Sequence, residues 1–121
     1  MGKYGFKDLG VWKAAKDLAV EVYNITSIGE INRDYDLKNQ IRRSAVSVPS
    51  NIAEGDERGT DKEAVRFLYI AKGSLAELIT QFEISKEIGY IDEKQLNELE
   101  VKCSRIGKML GSLIKARSAE K

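Results

Sequence analysis

The chain contains no histidine. That absence removes Ser-His-Asp and Cys-His catalysis, histidine-ligated metals and the usual proton switch near neutral pH. It has one cysteine, Cys103, so no disulfide can form within it; a lone thiol fits a reducing compartment, the cytosol. One proline, Pro49, stands among 121 residues, and β-branched runs are few, so helix is favoured throughout. No apolar run approaches the length of a membrane span, and MGKYGFKDLG lacks the apolar segment of a signal peptide. An excess of one charge is also missing: the net charge is +1. Nucleic-acid contact would therefore need a local basic patch, or a patch multiplied by assembly. Together these absences predict a cytoplasmic protein with no membrane segment.

What is present is helical periodicity. Hydrophobic residues make up 42% of the chain and charged residues 32%, the balance of a globular domain, and 121 residues suffice for one core. The first predicted helix covers about 8–26, with Val11, Trp12, Ala15, Leu18, Ala19, Val22, Tyr23 and Ile25 spaced by three and four, and Asp8 as its cap. The second covers about 36–57, with Leu37, Ile41, Ala45, Val48 and Ile52 on one face; Gly55 and Gly59 mark its exit. Thr60 and Glu63 form a T-x-x-E capping box that opens the third, about 61–88, which ends at Gly89 as a left-handed C′ residue. The fourth, about 93–116, has Asp92 as N-cap with Gln95 three residues on, and Ile91 with Leu96 as a hydrophobic staple. Its seam reads Leu96, Leu99, Cys103, Ile106, Leu110 and Leu113. Four amphipathic segments with short joins bury their stripes against one another, so the prediction is an all-α, up-down-up-down antiparallel four-helix bundle over 1–121.

The segment QIRRSAVSVPSNIAEGDERG complicates this picture. Pro49 lies inside a helical repeat, where it forfeits one backbone hydrogen bond at a cost of about 3 kcal/mol. Ser44, Ser47 and Ser50 surround it and offer hydroxyls to loosened backbone groups, so the expectation is one continuous but kinked helix. Arg42, Val46, Pro49 and Ala53 form a flanking face beside the core stripe, and Leu68, Leu75, Ile79 and Phe82 widen the apolar arc of the third helix. Such arcs either face two neighbouring helices within the bundle or serve contacts between subunits. The interface candidates are Val46, Pro49, Ala53, Leu68, Leu75 and Ile79.

Arg42 and Arg43 project about 100° apart, with Arg42 beside the flanking stripe, suited to an interface salt bridge, and Arg43 turned to solvent. They read either as solvated or ion-paired arginines or, with Arg58, as nucleic-acid contacts. From Arg105 to Lys121 the chain carries five cations and one carboxylate, 5 − 1 = +4. The C-terminal dipole of a helix explains such an excess; repetition around a ring would turn it into a considerable field.

Catalytic patterns are lacking. Ser112-x-x-Lys115 has no companion S-D-N or K-T-G, and no glycine-rich phosphate loop occurs. The di-metal bundle pattern needs Glu-x-x-His. Gly107 with Gly111, and Gly73, suggest close helix approach, and Cys103 falls on the core seam. No enzyme activity, metal or cofactor is expected.

At QIRRSAVSVPSNIAEG the sequence resembles the 23S rRNA intervening-sequence protein family, also called the S23 family. FKDLGVWKAAKDLAVEVY looks like that family's opening helix, and EAVRFLYIAKGSLAELITQFEISKEIGYI like its third helix and turn. The resemblance implies a four-helix bundle and a homopentameric ring. A related branch, the accessory variability determinant of diversity-generating retroelements, contacts a reverse transcriptase and nucleic acid through basic surfaces. Arg42, Arg43 and Arg58 stand in the IRR and EGxxR positions, although this chain's near-neutral charge departs from those accessory proteins. Two functions follow as expectations. One is a non-catalytic accessory module binding RNA or DNA; the other is a self-assembling scaffold whose partner is a protein.

Overall fold

The structure, a computed structural model, describes residues 5–118. A short 3-10 turn precedes α1 (Gly10–Ile25), a second separates it from α2 (Tyr35–Glu57), and α3 (Asp61–Ile88) and α4 (Glu93–Ser118) follow through tight turns. No strand occurs among the described residues. The short joins make successive helices antiparallel neighbours, and α4 returns to pack on α1, closing an up-down-up-down bundle.

Helix ends follow the local signals closely. Asp34 caps α2 by accepting from the Leu37 amide at 3.2 Å, and Thr60 caps α3 by accepting from Glu63 at 3.2 Å. Gly89 has φ 99°, and its amide reaches the Lys86 carbonyl while Tyr90 reaches back to Ser85 at 2.8 Å, a Schellman closure. At α4 the cap is reciprocal: Gln95 N–H donates to the Asp92 carboxylate at 2.8 Å, and Asp92 N–H donates to the Gln95 side-chain Oε1 at 2.9 Å. Ile91 and Leu96 are both buried beside it, as a staple requires. The Tyr90 hydroxyl then donates to Asp34 at 2.8 Å, tying the α3–α4 turn to the start of α2.

The core is one cluster to which every helix contributes. Val22, Ile41, Val48, Ile52, Leu78, Phe82, Ile106 and Leu110 are its most enclosed larger side chains. Burying a side chain of this size stabilises by about 1.5–3 kcal/mol.

Several expectations change. Asp8 lies in the 3-10 turn, and α1 begins with Leu9 at its cap without a side-chain hydrogen bond. Gly55 does not end α2; it lies inside the helix, where α3 approaches so closely that a Cβ would sit 3.0 Å from the Phe67 Cβ and 3.1 Å from the Ala64 carbonyl. Gly73 and Gly111 have no neighbour within 4 Å of that position, so neither marks a close approach. The α4 seam ends on Ile114, with Leu113 only half-buried. α2 passes through Pro49 as one continuous helix, and it is this continuity, rather than a bend, that the structure establishes. Around the proline, Ser47 Oγ lies 2.8 Å from Ser74 Oγ on α3, and Asn51 Nδ2 donates to the Ser47 carbonyl at 2.8 Å. Serine chemistry here stitches α2 to α3. Ala119, Glu120 and Lys121, the end of the basic segment that runs from Arg105, lie outside the described residues.

Candidate interaction surfaces

The three arginines singled out in the sequence stand in three different surroundings. Arg42 turns onto the C-terminal end of α1. Its Nε donates to Thr26 Oγ1 at 2.8 Å, and its Nη2 donates to the Tyr23 carbonyl at 3.3 Å and to Ser27 Oγ at 3.1 Å. Its guanidinium also lies 4.3 Å from the Tyr23 ring centre. α1 has no basic residue in its last turn, so Arg42 supplies from α2 the cation that a helix C-terminus favours. Within the chain this clamp engages Arg42, which makes no ion pair among the described residues. Arg58 pairs with Glu54 one turn back at 3.1 Å and stacks over Phe67 at 4.8 Å. Of the three, only Arg43 stands exposed without an ion pair or side-chain hydrogen bond among the described residues. It lines a groove of about 730 Å³ between α2 and α3 with Gln40, Ser47, Glu77, Thr80 and Gln81. One cation and one carboxylate cancel there, and Gln81 Oε1 is buried without a partner among the described residues.

The interface candidates also divide. Leu68 and Leu75 are 2% and 4% exposed and belong to the bundle's own core, because α3 faces both α2 and α4 and needs a wide arc. Ile79 packs half-buried against the same core, and Ala53 is half-buried. Val46 is 40% exposed, whereas Pro49 is buried and only its edge lines the hollow beside Val46. Together with Ala19, Val20 and Tyr23 of α1 these two line a hollow of about 320 Å³ whose wall is almost wholly apolar. Val20 and Tyr23 are 55% and 44% exposed. The α1 half of this hollow was not legible as a site from its stripe. Its signal was Val20, an apolar residue on the polar side of α1 between Asp17 and Asn24.

Two further groups bear on chemistry. Cys103 is buried, and burial, reinforced by the charges of Glu100 and Glu21, pushes its thiol up to about 12, which makes it unreactive near neutrality. Glu100 is held above the usual carboxylate range by its hydrogen bond with Glu83, with some burial and the Glu83 and Glu93 charges adding to it. No helix among the described residues is long and apolar enough to cross a membrane.

Comparison with known proteins agrees with this architecture. A crystal structure from Bacteroides thetaiotaomicron, described as a protein of unknown function from the S23 ribosomal protein family, superposes with a TM-score of 0.81 at 24% identity, over 87% of this chain and 95% of that one. At that identity the likeness shows the fold alone. No curated protein matches. The family model described as 23S rRNA-intervening sequence protein matches residues 7–112, nearly the whole bundle and both surfaces described above. The chain belongs to the 23S rRNA-intervening sequence protein family.

Proposed function

We propose that the protein is a non-catalytic bundle that assembles with copies of itself into a closed ring, a pentamer on the resemblance that its sequence carries. The observation behind this reading is the α1–α2 hollow, where Val20, Tyr23 and Val46 remain exposed around Ala19 and Pro49 after the core is complete. Exposed apolar surface gathered in one concavity is the ordinary mark of a protein contact. α3 carries a second outward apolar row, Ile70, Ile84 and Ile88, each 43–54% exposed. A hollow on one side of a molecule and a ridge on another suit a head-to-tail contact, which closes into a ring when the rotation allows. The buried, unreactive thiol and the absence of histidine support a role without catalysis.

The test is the mass in solution. Light scattering at micromolar concentration is expected to give a multiple of 13.5 kDa, five chains for a pentamer. Val20→Glu with Val46→Glu places carboxylates in the hollow and is expected to yield a folded monomer, because both side chains are already exposed. A wild-type monomer would overturn the reading, as would an undisturbed assembly in the double variant.

A further inference from the structure

We infer that the outer face of α4 from Arg105 to Lys115 is a binding surface for a nucleic-acid backbone, and that this surface, not the arginines of α2, is where the protein meets RNA or DNA. The inference goes beyond self-assembly and does not need it.

From Lys102 to Ser118, α4 carries five cations and no carboxylate. Two of the five are taken by the bundle: Lys102 by Glu21 of α1, and Arg117 by Asp56 at 2.9 Å. Arg105, Lys108 and Lys115 are exposed and make no ion pair or side-chain hydrogen bond among the described residues. At about 100° per residue the three fall within about 80° of one another, along roughly 15 Å of helix. They form one stripe rather than a scatter.

The helix dipole does not account for the stripe. It favours cations within the last turn, and of these three only Lys115 lies there, beside the already paired Arg117. Arg105 and Lys108 stand roughly three turns before the end of the helix. The neighbouring carboxylates of α1 are already engaged, Asp17 by Lys16 at 3.2 Å and Glu21 by Lys102. Three cations held by a rigid helix, with no counter-charge of their own, attract an extended polyanion.

Two details favour a phosphate backbone over a lipid surface. Between Arg105 and Lys115 the other exposed residues are Gly111 and Ser112, of which the hydroxyl can donate to phosphate oxygens and neither is apolar enough to enter a bilayer; Val101, one turn earlier, is a single exposed apolar side chain. A helix that lies on a membrane needs an apolar face turned towards it, whereas that of α4 is buried in the core.

The experiment is fluorescence anisotropy of a labelled single-stranded RNA with the full chain. Three released counterions weaken binding to a single strand about 18-fold between about 50 and 200 mM salt. Arg105→Gln, Lys108→Gln and Lys115→Gln combined is expected to lose at least ten-fold in affinity with an unchanged circular dichroism spectrum, while Arg43→Gln stays within two-fold of wild type. Undetectable binding at low salt overturns the inference, as does a salt response below three-fold, equal binding by the triple variant, or tighter binding to phosphatidylserine vesicles than to RNA. The salt series on the wild-type chain keeps the test decisive if the triple variant misfolds. A mass measured on the same samples separates failure of this surface from failure of assembly.

Discussion

The cations of α2 and its C-cap are largely consumed by their own chain, whereas those in the middle of α4 are not. Lys38 donates to the Asn32 carbonyl at 3.0 Å, Arg42 clamps the end of α1, and Arg58 pairs with Glu54 and stacks on Phe67. On α4, Arg105, Lys108 and Lys115 have no such occupation among the described residues. The contrast arises from neighbours. α2 lies between α1 and α3, so a long side chain on either flank meets free backbone carbonyls, hydroxyls or rings. The outward side of α4 meets none. Density of arginine in a sequence therefore measures the demand for donors as much as the capacity to bind a partner.

The sharpest way to break the comparison is Arg117, a cation of α4 that behaves like those of α2. It is paired with Asp56, whose side chain is only 4% exposed, and lies 3.9 Å from Asp61. Arg117→Ala leaves that carboxylate buried without its cation, and is expected to cost about 3 kcal/mol in denaturant unfolding. A loss below ~1 kcal/mol would mean that the carboxylate finds other solvation. Arg42→Ala is expected to cost about 1–2 kcal/mol, because Thr26, which is 0% exposed, loses a charged donor. Arg43→Ala, its neighbour in sequence, is expected to stay within about 0.5 kcal/mol. Equal effects at the two positions would erase the distinction drawn here.

The smallest expected effect concerns pH. Glu100 holds its proton more tightly folded than unfolded, because it shares a hydrogen bond with Glu83. A carboxyl raised in this way contributes stability below its unfolded pKa, and the contribution fades as pH rises through the folded value. Glu100→Gln should therefore flatten the stability profile across the acid range and, near neutrality, relieve a repulsion. Unfolding midpoints compared between pH 4 and pH 7 would show this; an unchanged slope would assign the pH dependence elsewhere.

Much of the bundle was legible because its signals are local. Thr60, Gly89 and the Asp92–Gln95 pair act within four residues of themselves, so reading them needs no neighbour. The surfaces were less legible. Leu68 and Leu75 looked surplus because a one-dimensional stripe does not reveal that α3 has two partners. Gly55 looked like a stop because nothing in α2 announces that Phe67 and Ala64 will press against it. The hollow of Val20, Tyr23, Val46 and Pro49 combines residues more than twenty positions apart on two helices.

By itself the sequence determined the number of α-helices, the caps of α3 and α4 and most of each inward stripe, since these depend on hydrogen bonds and periodicities that span a few residues. The tertiary structure alone decided which arginines remain free, which apolar residues stay uncovered and which glycine is a contact. Each of those depends on what a second helix places within a few ångströms, and packing, not local propensity, sets that distance.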